Sequence, residues 1–251
     1  MPAEGGAFSE DYVLGGRLLL RQPLRGHRVG HDAILLAAAV AAVPGEHAVE
    51  LGAGVGAAGL ALARRVDRLA VTLVDIDPVL TALARDNAER NRLAERVRAV
   101  CLDVAGEPGA FAAADLAPES ADRVLMNPPF NAAPNPSPDA ERRRAHVAAP
   151  DTLRQWLDTA ARLLRPAGGA TLLWRADGLG EVLAALGGNF GAVSIVPVYP
   201  KPDAPAIRVL VSAIKASRAP LVLLPGFMLA EADGKPTTAA EAILRDGAAL
   251  M

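Results

Sequence analysis

Three features of this 251-residue chain predict an α/β fold with a mainly parallel sheet and helices on both faces. Short apolar runs alternate with segments of helical character, and such alternation demands crossover connections and hence parallel pairing. A glycine string, Gly52-Ala53-Gly54-Val55-Gly56, joins one such run to the helix after it. The last third of the chain then becomes strand-rich.

The elements follow in order. Asp32 to Val43 reads as a helix, with Asp32 near its start and Pro44-Gly45 stopping it. Ala48 to Leu51 is a strand that feeds the glycine string, and a helix continues to about Arg65. A strand at Ala70 to Val74, a helix from Pro78 to Asn91 and a strand at Val97 to Leu102 come next. A looser segment, Ala105 to Glu119, precedes the strand Arg123 to Met126 and a long loop, Asn131 to Pro138. Asp151 to Leu164 is helical and Ala170 to Trp174 extended. Strands at Val193 to Val198, Ile207 to Ile214 and Leu221 to Leu224 lead to a last helix from Thr238, where Thr238 and Glu241 have capping-box spacing. There is no internal repeat and no clear linker, so residues 1–251 read as one domain.

Composition sets outer limits. Hydrophobic residues make up 51% of the chain but aromatics only 4%, so the core must be aliphatic. A single cysteine, Cys101, excludes an internal disulfide and suits a reducing compartment. The longest apolar run, Ala33 to Val43, is well short of the roughly 18 residues a membrane span needs. Glu4, Glu10 and Asp11 are unlike the basic start of a signal peptide, and a cytoplasmic protein is expected. Nor do His27, His31, His47 and His146 form a metal-ligand cluster with Cys101, so no metal is expected. Trp156 and Trp174 lie in apolar contexts and read as core residues.

The most specific chemical signal is Asn127-Pro128-Pro129-Phe130 at the end of the run Val124-Leu125-Met126. Two prolines fix φ near −65° and donate nothing, so the turn is stiff and rich in acceptors. An amide oxygen, a fixed main-chain carbonyl and a ring face together can hold a planar amino group and the flat system conjugated to it. The same tetrapeptide also reads as a Pro-rich exit turn with Phe130 as a core plug.

The glycine string leaves helix N-terminal N–H groups open to a ligand. Gly54, Gly56 and Gly59 have dinucleotide spacing and Asp75 lies 21 residues beyond Gly54, so a nicotinamide oxidoreductase competes at this point. Glu50, two residues before Gly52, would attract a methionine ammonium and repel a pyrophosphate. A helix precedes the first core strand, whereas dinucleotide-binding domains commonly begin with that strand. Asp75 is placed to hold ribose hydroxyls, and Asp103 to accept from an adenine amino group. These points favour S-adenosylmethionine, although Asp75 and Asp103 also read as turn and capping residues.

With these residues together, the chain resembles the Rossmann-like class I methyltransferases that depend on S-adenosylmethionine and carry an Asn-Pro-Pro-aromatic motif. Within that class it most resembles the bacterial tRNA(Val) adenine-37 N(6)-methyltransferase family, over most of its length. The run Arg28-Val29-Gly30-His31-Asp32-Ala33-Ile34-Leu35-Leu36 resembles that family's pre-core motif, although His31 replaces a small hydroxyl residue. Tyr199-Pro200-Lys201-Pro202 and Pro205-Ala206-Ile207-Arg208-Val209-Leu210-Val211 resemble its C-terminal antiparallel hairpin. The resemblance implies that Gly30 and Asp32 help close the cofactor pocket beside Glu50, Gly52, Gly54, Gly56, Asp75, Asp103 and Asn127. It implies that Asn127 and the Pro128 carbonyl accept the hydrogens of an amine while Pro129 stiffens the turn and Phe130 holds the base. It also divides the chain into an N-terminal extension and helix (1–45), a cofactor-binding half (46–135) and a substrate-side half (136–251).

The net charge of −2 is spread unevenly. Arg17, Arg21, Arg25 and Arg28 form one basic stretch, Arg142, Arg143 and Arg144 a second, and Lys201, Arg208, Lys215 and Arg218 a third. If the fold gathers Arg142, Arg143, Arg144, Lys201 and Arg208 at one site they rim it for RNA phosphates; otherwise they are solvated surface charge. The expected partner is tRNA, or rRNA if the target is a guanine 2-amino group, and the expected assembly a monomer or homodimer. Enzymes that methylate the glutamine of release factors share the Asn-Pro-Pro-aromatic motif but carry a helical N-terminal domain, for which about 45 residues before the glycine string are too few. An RNA-binding module that keeps the cofactor fold is the non-enzymatic alternative.

Overall fold

The computed structural model describes residues 8–24, 28–129 and 151–250. Eleven strands and seven α-helices lie within them. The N-terminal extension opens with a hairpin, β1 (Phe8–Val13) and β2 (Leu18–Pro23), which the sequence reading did not anticipate. Leu18 and Leu20 of β2 are fully buried while Arg21 between them and Pro23 stays partly exposed. That alternation, closed by Gly15-Gly16, was the available signal.

α1 (His31–Ala39) ends four residues earlier than Pro44-Gly45 suggests. Arg65 Nη2 donates to the carbonyls of Ala37 and Val40, 2.9 and 2.6 Å, and Val40 turns extended. A tertiary contact, not the proline, stops this helix.

The core then alternates as expected: β3 (His47–Leu51), α2 (Ala57–Arg65), β4 (Ala70–Asp75), α3 (Pro78–Arg90), β5 (Val97–Cys101), and β6 (Ala121–Met126). A short α4 (Pro108–Ala113) occupies the looser segment. After α5 (Thr152–Leu163) comes β7 (Leu164–Arg175), longer than expected because Leu164 already pairs with Ala121 before an irregularity around Arg123. Then follow α6 (Leu179–Leu186), β8 (Phe190–Tyr199), β9 (Arg208–Lys215), β10 (Val222–Leu223), β11 (Phe227–Met228) and α7 (Thr238–Leu244). Thr237, not Thr238, caps α7, its hydroxyl accepting from Ala240 N at 3.0 Å. The third residue after this cap is therefore Ala240, and Glu241 falls outside the capping-box position.

Nine strands form one sheet, in the order β10-β8-β9-β7-β6-β3-β4-β5 with β11 also paired to β8. The five neighbours from β5 to β7 are parallel, and β9 runs antiparallel to both β7 and β8. This is the predicted α/β class, with the antiparallel hairpin at its C-terminal side. Chain order runs outward from β3 through β4 to β5, then returns to the other side of β3 at β6. Such a reversal leaves a crevice at the carboxyl ends of the strands, where ligands of α/β sheets bind.

Two apolar clusters sandwich the sheet. Ala48, Val71, Leu73 and Leu125 face α1 and α2. Val49, Leu51, Val74 and Met126 face α5 and Phe111. The alternation puts Glu50 on the Ala48 side, beneath α2.

The hairpin is fastened by two asparagines one helical turn apart, Asn87 on α3 and Asn91 at its C-cap. Asn87 Oδ1 accepts from Arg21 N (2.7 Å) and its Nδ2 donates to Arg21 O and Val55 O, both 3.0 Å. Asn91 repeats the pattern on Leu19, with 2.9 and 2.7 Å bonds. Asn87 is fully buried, so Asn87→Ala strands three main-chain groups away from water. We expect it to destabilise the protein by about 1–3 kcal/mol in urea unfolding, and more than Arg90→Ala, whose ion pairs lie at the surface.

Candidate functional site at the carboxyl ends of the strands

The register pairs Leu51 of β3 with Val74 of β4 and with Met126 of β6. The next residue of each strand or turn is Gly52, Asp75 and Asn127. Three segments distant in sequence therefore meet at one level.

Gly52, Gly54 and Gly56 all have positive φ, +68°, +56° and +87°. Gly56 also caps α2, and a Cβ there would lie 2.7 Å from Leu73 Cδ1, so both backbone and space demand glycine. The glycine loop and the start of α2 are held by side chains from around them. Gly54 N donates to Asp75 Oδ2 (2.7 Å), Asn87 takes the Val55 carbonyl, and Gly59 N donates to Glu50 Oε2 (2.7 Å).

Glu50 is 5% exposed. Burial pushes its carboxyl up to about 8; the Gly59 N–H opposes this and the charge of Asp75 adds to it. A cation brought to this end of the sheet would favour the carboxylate, whereas a pyrophosphate would keep the group protonated. Asp75 accepts from Asp77 N through Oδ1 (2.9 Å), and Asp77 caps α3 through Val79 N and Leu80 N. Its carboxylate is thus both a loop anchor and, being partly exposed, within reach of a diol. Ile76 beside it is 52% exposed, and Leu102 N donates to Asp75 O (2.9 Å). Ile76 was not among the residues the sequence pointed to; a bulky apolar residue directly after the strand-end acid was the signal. Asp103 is exposed on the following loop and its Oδ1 accepts from Ala105 N (2.9 Å). A loop flanked by Asp75 and Asp103, the exposed Ile76 and the buried Glu50 carboxyl fit S-adenosylmethionine better than a dinucleotide.

At the end of β6 the Asn127 Oδ1 is buried and has no hydrogen-bond partner among the described residues. An amide oxygen in that state costs about 1–3 kcal/mol unless something supplies a donor. Pro128 is buried behind it. Phe130, Arg142, Arg143 and Arg144 lie outside the described residues.

Gly30 precedes α1 in an extended conformation, φ −124°, and a Cβ there would meet nothing within 4 Å. Asp32 in the first turn of α1 pairs with Arg208 Nε of β9 at 3.0 Å, tying the pre-core segment to the C-terminal hairpin. Arg208 therefore carries an intramolecular ion pair. Its cross-strand partner is Arg175 at the end of β7, which also pairs with Asp177 and Glu181. Lys201 is exposed between β8 and β9. Among the described residues no group of His, Cys, Asp and Glu could hold a metal ion, and no helix is long and apolar enough to cross a membrane.

Residues 27–197 match the model of the methyltransferase small domain family. The chain belongs to this family. It is 28% identical over 160 residues to a tRNA1(Val) (adenine(37)-N6)-methyltransferase of Porphyromonas gingivalis, covering 62% of this chain and 61% of that relative. A second enzyme of that name, from Trichodesmium erythraeum, is 29% identical over 203 residues, 78% of this chain and 81% of the relative. A release factor glutamine methyltransferase of Chlorobaculum tepidum is 30% identical over 169 residues, 62% of this chain and 54% of the relative. The crystal structure of "a predicted O-methyltransferase" from Agrobacterium tumefaciens superimposes with a TM-score of 0.74 at 29% identity, covering 87% of this chain and 98% of the other. The match thus spans about three fifths of the first relative's length. The family-level resemblance seen in the motifs is borne out.

The sign of the Glu50 effect follows from linkage. Between its ordinary value of 4.5 and about 8 the folded protein holds a proton that the unfolded chain has lost. Stability should therefore fall as pH rises through that window and level off above it. Glu50→Gln should flatten the fall, measured as urea midpoints at about pH 5, 6.5 and 8. A wild-type midpoint that rises over the same range would refute the buried neutral carboxyl.

Proposed function

We propose that this protein is an S-adenosylmethionine-dependent N-methyltransferase acting on the exocyclic amino group of a nucleobase, and that its substrate is adenine N(6) at position 37 of a valine tRNA. We further propose that residues 1–251 act as one methyltransferase domain. The observation that carries the reading is the buried Asn127 Oδ1, without a partner among the described residues, one strand from the glycine loop and in a turn that adds acceptors and no proline N–H. The two tRNA methyltransferase relatives support the choice of substrate.

S-adenosylmethionine, when bound, supplies a methyl group on a sulfonium, an electrophile with a good leaving group. The chain's task is then alignment. Asn127 Oδ1 and the Pro128 carbonyl accept the two amino hydrogens, drawing the nitrogen lone pair out of conjugation and toward the methyl. Phe130 holds the base by stacking. No base is needed at the outset, since the amine becomes acidic only as the new N–C bond forms, and its proton then leaves to solvent. Asp75 holds the glycine loop and gives this end of the sheet negative potential suited to a cationic cofactor, while Glu50 holds the start of α2 and ionises when a cation arrives. Gly30 and Asp32 close the pocket from α1, and Asp103 accepts from the cofactor's adenine. Arg142, Arg143, Arg144, Lys201 and Arg208 contact RNA phosphates, and Arg175, opposite Arg208, joins them.

Asn127→Ala should leave cofactor affinity within about twofold and reduce turnover by about 100-fold or more, because the lost acceptor acts on the amine. Calorimetry with S-adenosylhomocysteine and single-turnover methylation separate the two; near-normal turnover would remove Asn127 from its role. Labelled cofactor offered with unmodified tRNA, rRNA and release factor then identifies the substrate, and label appearing in the protein alone would overturn the nucleobase reading.

The RNA rim has its own test. Replacing Arg175 and Lys201 by Gln should flatten the dependence of log affinity for tRNA on log salt by about 1.4, two contacts at roughly 0.7 each for single strands. The Michaelis constant should rise more than turnover falls. An unchanged slope would show both residues to be solvated surface charge.

A further inference from the structure

The indole of Trp156 stands where a side chain of residue 52 would be. A Cβ built on Gly52 would collide with Trp156 Cη2 and come within 2.8 Å of Cζ3, so the six-membered edge of the ring rests on the main chain of this left-handed residue. The rest of this face of α5 is conventional core. Leu153, Leu157, Ala160 and Ala161 enter the second apolar cluster, whereas Trp156 packs at its margin and is only partly buried. The ring lies beside the residue that follows Leu51, and Leu51 pairs with Met126, the residue before Asn127. Trp156 therefore sits where the cofactor loop and the Asn-Pro-Pro turn are neighbours.

A loop with three glycines loses more backbone entropy on ordering than one with side chains. Asp75 and Asn87 restrain its later residues through Gly54 and Val55, and Glu50 holds Gly59 in the first turn of α2 behind it. Gly52, its first residue, is restrained by the ring. We propose that Trp156 is a positioning residue for the cofactor: its indole fills the volume above Gly52, holds the start of the glycine loop in its left-handed turn and walls the site on the α5 side. The proposal rests on the methyltransferase reading of that site and adds to it a residue that neither the motifs nor the matching family name identifies.

The probe is S-adenosylhomocysteine, which binds without turnover. Trp156→Ala should raise its dissociation constant about tenfold, near the upper range for a lost aromatic contact, and Trp156→Phe less than about threefold because a ring still reaches Gly52. Gly52→Ala should impair binding severely, through both the collision and a positive φ, and Gly52→Ala/Trp156→Ala should recover part of the loss. Such recovery by removing a second side chain is the signature of direct contact. The other tryptophan, Trp174, is 3% exposed, so a change of intrinsic fluorescence on saturation should come from Trp156 and vanish in Trp156→Phe. If Trp156→Ala does not fold, this optical pair decides: a response that persists in Trp156→Phe overturns the proposal. So does a Trp156→Ala protein with lowered Tm but wild-type affinity, which would make the ring plain core. Failure of the wild type to bind S-adenosylhomocysteine would instead overturn the methyltransferase reading, and this proposal with it.

Discussion

The register of β3 between β4 and β6 is the constraint on which the site depends. A slip of one residue in either ladder would turn Glu50 from beneath α2 to the opposite face of the sheet and carry Asn127 away from Gly52. At the far end of these strands the register is locked by polar contacts unusual for a buried sheet. Arg123 of β6 grips Glu46 in a bidentate pair, 3.0 and 2.8 Å, and Asp122 accepts from His47 N at 2.6 Å. Burial pushes the Glu46 carboxyl up, but the Arg123 and Val43 bonds outweigh it and leave the group below its ordinary value. Apolar strands could pair in several registers; this fork–carboxylate geometry fits one.

The electrostatics at the carboxyl end run the other way. The charge of Asp75 raises the cost of ionising Glu50, and the N–H groups of Gly54 and Gly59 face the two acids. Ionising Glu50 beside Asp75 weakens the fold, and a cation favours that ionisation. Asn127 adds a buried amide oxygen with no donor among the described residues. Both groups lie in one crevice, where a bound cation would lower the cost of ionising Glu50 and an incoming amine would supply Asn127 Oδ1 with a donor.

Long-range ties hold the surrounding elements to that crevice. Asn87 joins β2 to Val55 of the glycine loop, so the N-terminal hairpin and the cofactor loop share one side chain. Asp32 and Arg208 are 176 residues apart in sequence, and their ion pair draws α1 and β9 together. About a third of each side chain is exposed, so this pair is worth little as stability and more as geometry.

Much of this was legible in the chain itself. Strand ends from β3 to β6 were readable to within about two residues, because each apolar run stops at a Gly, Asp or Asn that sets a turn, and periodicity is strongest where strands are buried on both faces. The Asn-Pro-Pro turn and the glycine string declare their chemistry through backbone constraints that act within a few residues, so no fold is needed to see them. What the sequence could not determine was which side chains reach these segments from elsewhere. The hairpin of residues 8–23 pairs with itself yet owes its place to Asn87 and Asn91; α1 stops where Arg65 takes its carbonyls; Trp156, read as core, rests on Gly52. The parity of Glu50 follows from the strand alternation, but its raised pKa comes from α2 closing over it. Local backbone preference specified the elements and the reactive turns, while three-dimensional packing decided which neighbours complete them, since contacts between residues tens of positions apart leave no periodic trace in the chain.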